Sequence, residues 1–214
     1  MHDRPWVTLG ALALCGLLYL AQAMGYDEWL TVHAALWPLG NADLPITAEG
    51  RWPTFHWWQL LSYGFLHGSP PHLLFNLLAL WMFGAPLERY WGSGPFLRFL
   101  LAAIAGAGVA QLMVAAASGD PYPTVGISGG VYGVLIGYGL MFPNNIIMPL
   151  FPPIPMRARY AVWVFAAIEL WLGVYNSGGG VAHFAHLGGL ATGWLMIQYW
   201  RGRLPIQPRR RLQR

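Results

Sequence analysis

The sequence predicts an all-α fold, a polytopic membrane helix bundle with six transmembrane helices. Three observations predict it. Hydrophobic residues make up 56% of the 214 residues and charged ones only 9%, against about 25% charged in a soluble domain. The apolar residues gather into six runs too long and too uniformly apolar for barrel strands. Helices are then the spanning form, because they satisfy every backbone polar group within one segment. The arginines, finally, sort to one side of the path those runs imply.

The first run covers 6–24. Its Arg4, short apolar stretch and Ala21-Gln22-Ala23 also resemble a signal peptide with a small-residue cleavage site. The loop 25–70 is too long for a simple connector. Its second half carries Trp52, Phe55, Trp57, Trp58, Tyr63 and Phe65, and fits either a segment lying in the membrane interface or an aromatic loop packed on the bundle. Further runs follow at 71–90, 96–117, 127–142, 160–175 and 181–200. Between the fourth and fifth, Pro143, Pro149, Pro152, Pro153 and Pro155 rule out a continuous helix. Neither a repeat nor a second domain is visible, so 1–214 reads as one membrane domain. The 12 tryptophans suit interfacial anchoring.

With residues 1–5 cytoplasmic, Arg4, Arg89, Arg98, Arg157, Arg159, Arg201, Arg203, Arg209, Arg210, Arg211 and Arg214 share the inner face. Only Arg51 falls outside, together with Asp27, Glu28, Asp43, Glu49 and Asp120. Both termini are then cytoplasmic and the first loop faces outward. The net charge of +4 is explained by the basic tail 201–214 beside anionic headgroups and is not a nucleic-acid signal. The single cysteine, Cys15, excludes an internal disulfide framework and a cysteine metal site, and reads as a small buried hydrophobe.

The fourth run is the informative one. Sixteen residues reach about 24 Å, short of a hydrocarbon core of about 30 Å. Its start therefore lies within the membrane's depth, and Ser128 stands there in Gly126-Ile127-Ser128-Gly129. Gly129, Gly133 and Gly137 form a stripe at four-residue spacing, and Gly189 and Gly193 form another in the sixth run. Such stripes let helices approach closely, which would draw Ser128 toward the sixth run. A serine nucleophile needs a base. His183 and His186, three apart on one helix face, both qualify, and the spacing does not choose between them. A tetrahedral intermediate needs oxyanion donors. His72 and Asn76, four apart on the second run, and the Ser128 amide at a helix start are the candidates. Taken singly, each has a plainer reading as helix packing or an interhelical polar contact. Glu169, ionisable within the fifth run, reads as a structural hydrogen bond or a neutral acid, with a proton or water path as the alternative.

A metal-dependent hydrolase built on His67, His72, His183 and His186 lacks a metal-ligand spacing and leaves the serine motif unexplained. No metal and no cofactor is called for. A transporter reading lacks an inverted repeat or an intramembrane charge array.

Together these motifs resemble the rhomboid family of intramembrane serine proteases. Gly126-Ile127-Ser128-Gly129 is similar to its G-x-S-G, His72-Leu73-Leu74-Phe75-Asn76 to its H-x-x-x-N, and Ala185-His186-Leu187-Gly188-Gly189 to its A-H-x-G-G. The six-span count is that of the minimal bacterial form. The resemblance implies Ser128 as nucleophile and His186 as base, a dyad with no third carboxylate. It implies an oxyanion hole from His72, Asn76 and the Ser128 amide. Tyr132 would pack on the catalytic histidine, His183 would be a neighbour, and His67 would structure the first loop. Glu88, Arg89 and Gly92 resemble the family's acidic-basic-glycine end of the second span. The implied partners are transmembrane protein substrates and the lipid bilayer, and the implied location is a bacterial inner membrane with the site opening outward. A non-catalytic relative that binds membrane helices is the alternative. Trp58-Gln59 stands where many members carry Trp-Arg, which puts the arginine's loop contacts in doubt.

Overall fold

Each apolar run becomes a helix, and the glycines decide which helices touch. The computed structural model describes residues 4–40, 52–149, 153–175 and 182–208. Helix α1 (Trp6–Ala21) passes through a wide turn at Gln22–Tyr26, kinked at Gly25 with φ 102°, into α2 (Asp27–Ala34). A short helix α3 (Gln59–Ser62) precedes α4 (Pro70–Ala79), which continues through a second wide turn, Leu80–Gly84, into α5 (Ala85–Trp91). Then come α6 (Ser93–Ser118), α7 (Ser128–Met141), α8 (Ala158–Tyr175) and α9 (His183–Trp200). The proline-rich connector before α8 contains a two-residue antiparallel ribbon, β1 (Ile146–Ile147) with β2 (Met156–Arg157). Asp43, Glu49, Arg51, Pro152, Arg209, Arg210, Arg211 and Arg214 lie outside the described residues, as do the parts of the first loop and tail that contain them.

This is a polytopic helical membrane bundle. Among the described residues, three stretches are long and apolar enough to cross a membrane by length and composition alone: Trp6–Ala34, α6 and α8. The other three of the six expected spans are α7, with 14 residues, the broken helix α4–α5, and α9. The last two carry His72, Asn76, Glu88, His183 and His186, which dilute their apolar character.

Helices α6, α7 and α9 form the centre. Phe96, Phe99, Leu100 and Ile104 of α6 are buried in the core. A Cβ on Gly189 would sit 1.9 Å from the Gly129 carbonyl oxygen, and one on Gly193 2.9 Å from that of Gly133. The two stripes thus meet backbone to backbone, as small-residue spacing predicts. Gly137 departs from that expectation, since its empty side faces Leu87, Trp91 and Phe99 rather than α9.

The N-terminal helix is tied in by one side chain. Buried Glu88 accepts from the amides of Val7 and Thr8, the Thr8 hydroxyl and the Ser93 hydroxyl, at 2.6–2.8 Å. It satisfies first-turn N–H groups of α1 that would otherwise lack partners. Gly92, at φ 84°, then makes the tight turn into α6. At the same end of the bundle, Arg201 Nη2 donates to the Leu140 carbonyl, and the Ala158 amide to that of Asn145. Gln59, where many members of the family carry arginine, makes loop contacts of a different kind. It is fully buried, and its Oε1 accepts from the amides of Trp37 and His56.

Gly189→Ala is expected to destabilise the protein by about 3 kcal/mol or more, since overpacking against backbone has no soft neighbour to yield. Gly10→Ala, with nothing within 4 Å of the new methyl, is the control and leaves thermal unfolding in detergent essentially unchanged. Equal effects at the two positions would contradict the backbone contact.

Candidate active site

Ser128 is the first residue of α7, half-buried, on the end of the bundle opposite the Glu88 tie. Two contacts aim it. Gly126, at φ 119°, turns the chain into the helix, and its amide donates to the Tyr63 carbonyl. Tyr63 is itself fixed by its hydroxyl donating to the Ile104 carbonyl. Gly129 then packs its bare face on Ala107 of α6 and its carbonyl on Gly189 of α9. The consequence is that Ser128 Oγ lies 2.7 Å from Nε2 of His186, in the first turn of α9.

Of the two histidines left open by spacing, it is thus His186 whose ring meets the serine. Tyr132, one turn after Ser128, stacks on that ring with centroids 4.6 Å apart and planes 8° from parallel. His183 points instead to Glu169, with Nδ1 2.7 Å from Oε2.

A carboxylate, Glu169, stands beside the two residues that the resemblance names as the dyad. Its Oε2 lies 2.9 Å from Nδ1 of His186, and its Oε1 accepts from the Tyr132 hydroxyl. The approach to His186 is oblique, off the N–H direction, so the contact is Coulombic rather than a directed hydrogen bond. Gly173 makes the arrangement possible. One turn beyond Glu169 on α8, it lets Phe184 and the His183 Cβ come within about 3.1–3.3 Å of where its own Cβ would stand, so the start of α9 closes on α8. A serine, a histidine and a carboxylate thus come together from α7, α9 and α8, without forming a linear chain of hydrogen bonds. Glu169 was legible only as a lone intramembrane acid, since no local motif marks its partner.

On the other side of Ser128 stands α4. The space a Cβ on Gly126 would fill has His72 Nε2 at 2.7 Å and Ser128 Oγ at 3.8 Å, so the glycine opens the gap between them. Asn76, one turn along α4, is buried, and its Nδ2 has no protein partner among the described residues. A buried amide donor without a partner is unusual and suits a group that donates to substrate. Ser69 caps α4 by accepting from the His72 amide. His67 stacks edge-on against His72, with centroids 5.1 Å apart, and its amide donates to Gln22 Oε1.

The four histidines once considered as a metal set are not brought together. The group whose ligating atoms lie within 4.8 Å of one another, among the described residues, is Glu169, His183 and His186. Their donors and acceptors already face one another or Ser128.

Residues 54–203 match the family model of the Rhomboid domain. The chain belongs to the rhomboid family. It is 32% identical to "Rhomboid protease GlpG" of Serratia proteamaculans over 91% of this chain and 62% of that protein. Against "Rhomboid protease GluP" of Bacillus subtilis the identity is 43% over 63% of this chain and 24% of the other. "RHOMBOID-like protein 4" of Arabidopsis thaliana is 36% identical over 74% of this chain and 36% of that protein. This rhomboid chain spans less than two thirds of the length of these curated relatives.

Burial, reinforced by the neighbouring His72, lowers the His67 pKa from 6.5 to about 4. The unfolded ring protonates as pH falls through about 6.5, whereas the folded ring stays neutral down to about 4. Its contribution to stability is therefore complete above 6.5 and is lost as pH falls toward 4. The drop in unfolding temperature between pH 7 and pH 4.5 is expected to be smaller in His67→Phe than in wild type. An identical drop would show that His67 does not titrate in this way.

Proposed function

We propose that this rhomboid-family protein is an intramembrane serine protease that hydrolyses peptide bonds in or near transmembrane segments of membrane proteins. The observation that carries the proposal is the 2.7 Å contact between Ser128 Oγ and His186 Nε2 at the start of a short membrane helix. The names of the relatives support the reaction class.

In this reading His186 Nε2 takes the Ser128 proton as Oγ adds to the substrate carbonyl carbon. The carbonyl π electrons move to oxygen. His72, Asn76 Nδ2 and the Ser128 amide are positioned to donate to that oxyanion. The protonated His186 then gives its proton to the leaving amine, and an acyl-enzyme remains on Ser128. A water, deprotonated by the same ring, releases the acid product. Tyr132 keeps the ring in one plane throughout. Gly126 and Gly129 keep Ser128 clear of side chains that would block substrate.

We further assign the chain as one membrane domain over 1–214, with residues 1–5 and the basic tail 201–214 cytoplasmic and the loop 25–70 outside. The site then opens to the outer side of a bacterial inner membrane. The described arginines support this orientation, because Arg4, Arg89, Arg98, Arg157, Arg159, Arg201 and Arg203 lie at the bundle end away from Ser128.

The test is cleavage of a reporter with one transmembrane segment, bearing small side chains before the scissile bond and helix-destabilising residues beside it. Ser128→Ala and His186→Ala are expected to abolish turnover in folded protein. Asn76→Ala is expected to lower kcat by about 10²–10³. A folded Ser128→Ala or His186→Ala protein with wild-type turnover would remove the assignment.

A further inference from the structure

Glu169 has no role in a two-residue mechanism, yet it is among the most fully engaged side chains of the bundle. It is 7% exposed and sits in an apolar spanning helix, where an ionisable group is expensive to hold and is a functional candidate by default. Three groups converge on it: the Tyr132 hydroxyl on Oε1, and Nδ1 of both His183 and His186 on Oε2, at 2.7 and 2.9 Å.

We propose that Glu169 is a positioning residue for His186, holding the imidazole beside its carboxylate by charge and through the shared Tyr132, and balancing the positive charge the ring acquires during the reaction. The inference rests on the reading of Ser128 and His186 as nucleophile and base.

Proton bookkeeping leads to it. His186 Nε2 accepts from the Ser128 hydroxyl only if it carries no proton. The proton of the neutral ring is then on Nδ1, and the nearest oxygen to Nδ1 is Glu169 Oε2. Tyr132 donates to Oε1, and Nδ1 of His183 and of His186 lie 2.7 and 2.9 Å from Oε2, a setting that suits an acceptor-only carboxylate.

When Ser128 adds to the carbonyl, its proton moves to Nε2 while the Nδ1 proton stays where it is. No proton passes to Glu169. The cluster changes from a carboxylate beside a neutral ring to a carboxylate beside an imidazolium, an ion pair that forms only as the reaction proceeds. Tyr132 serves both members, stacking on the ring and donating to the carboxylate. His183 fixes the oxygen that the two rings share. The oblique approach to His186 sets the size of the effect below that of a linear triad.

The experiment measures kcat and KM for the transmembrane reporter with wild type, Glu169→Gln and Glu169→Asp, alongside fluorophosphonate labelling of Ser128 in wild type. Glu169→Gln, which keeps the shape and loses the charge, is expected to lower kcat on the order of 10²–10³-fold, below the roughly 10⁴ of a linear triad. KM is expected to change less than about threefold, because the loss is confined to the transition state. Glu169→Asp is expected to recover at least about tenfold over Glu169→Gln, the charge returning on a shorter arm. A purely structural carboxylate would show no such split and no such rescue.

Because Glu169→Gln can fail by unfolding, a second measurement uses wild type alone. Nitrogen NMR of labelled histidine is expected to find the resting His186 ring neutral with its proton on Nδ1. Labelled Ser128 together with a Glu169→Gln kcat within about threefold of wild type would overturn the role of Glu169 and leave the serine reading standing, whereas a resting proton on Nε2 would overturn both that role and His186 as the base. No labelling of folded wild type by two probe chemistries would overturn both.

Discussion

The close contact of two backbones, α7 against α9, is the constraint on which the rest depends. The Gly129 carbonyl occupies the space that any side chain at Gly189 would need, and the Gly133 carbonyl does the same at Gly193. Hydrogen bonds between membrane helices average only about 0.6 kcal/mol, so the polar contacts of the site are poor candidates for holding the bundle together. Packing at the glycines fixes the helices, and the side chains at the helix starts inherit their spacing. Ser128 and His186 stand at those starts, one residue before Gly129 and three before Gly189, which is why they meet.

The polar groups are concentrated at one end of the bundle and apolar packing dominates the middle. Ser128, His186, Glu169, His183 and Tyr132 form one connected cluster from three helices, and α4 brings His72 and Asn76 to the opposite side of the serine. An isolated polar group at that depth costs several kcal/mol. A cluster in which each member faces another is the arrangement that reduces the cost. Asn76 Nδ2 stands apart with its donor unmet, on the side where the proposed mechanism puts the oxyanion. The other end is organised by Glu88, which joins the start of α1 to the α5–α6 corner. The two ends do different work, one anchoring helices and the other presenting reactive groups.

Much of this was legible in the sequence because it is carried by local patterns. The apolar runs marked the helices to within a few residues, and four-residue glycine spacing marked the α7–α9 contact. The serine, histidine and asparagine motifs are each a single helical turn. What was not legible is what depends on relations between distant segments. The partner of Glu169 lies 17 positions further on, in another helix, and nothing in Ile168-Glu169-Leu170 signals it. Spacing alone leaves open which of His183 and His186 faces Ser128, because that depends on the rotation of α9 about its axis, and only the resemblance of residues 185–189 to a family motif pointed to His186. Gly137 follows the stripe of Gly129 and Gly133 in sequence, yet α9 no longer faces it, and α5 and α6 fill the gap instead. The β1–β2 ribbon was hidden within a proline-rich connector. Gln59 anchors the first loop by accepting two backbone N–H groups through its amide oxygen, a role that an arginine, which only donates, cannot fill.

The most direct test of the account is the structure of the protein after reaction with a fluorophosphonate. The account predicts phosphorus bonded to Ser128 Oγ. Its phosphoryl oxygen should lie within hydrogen-bond distance of the Ser128 amide and Asn76 Nδ2, with His186 still stacked on Tyr132 beside Glu169. An adduct on another residue, or one on Ser128 whose phosphoryl oxygen points away from α4, would contradict it.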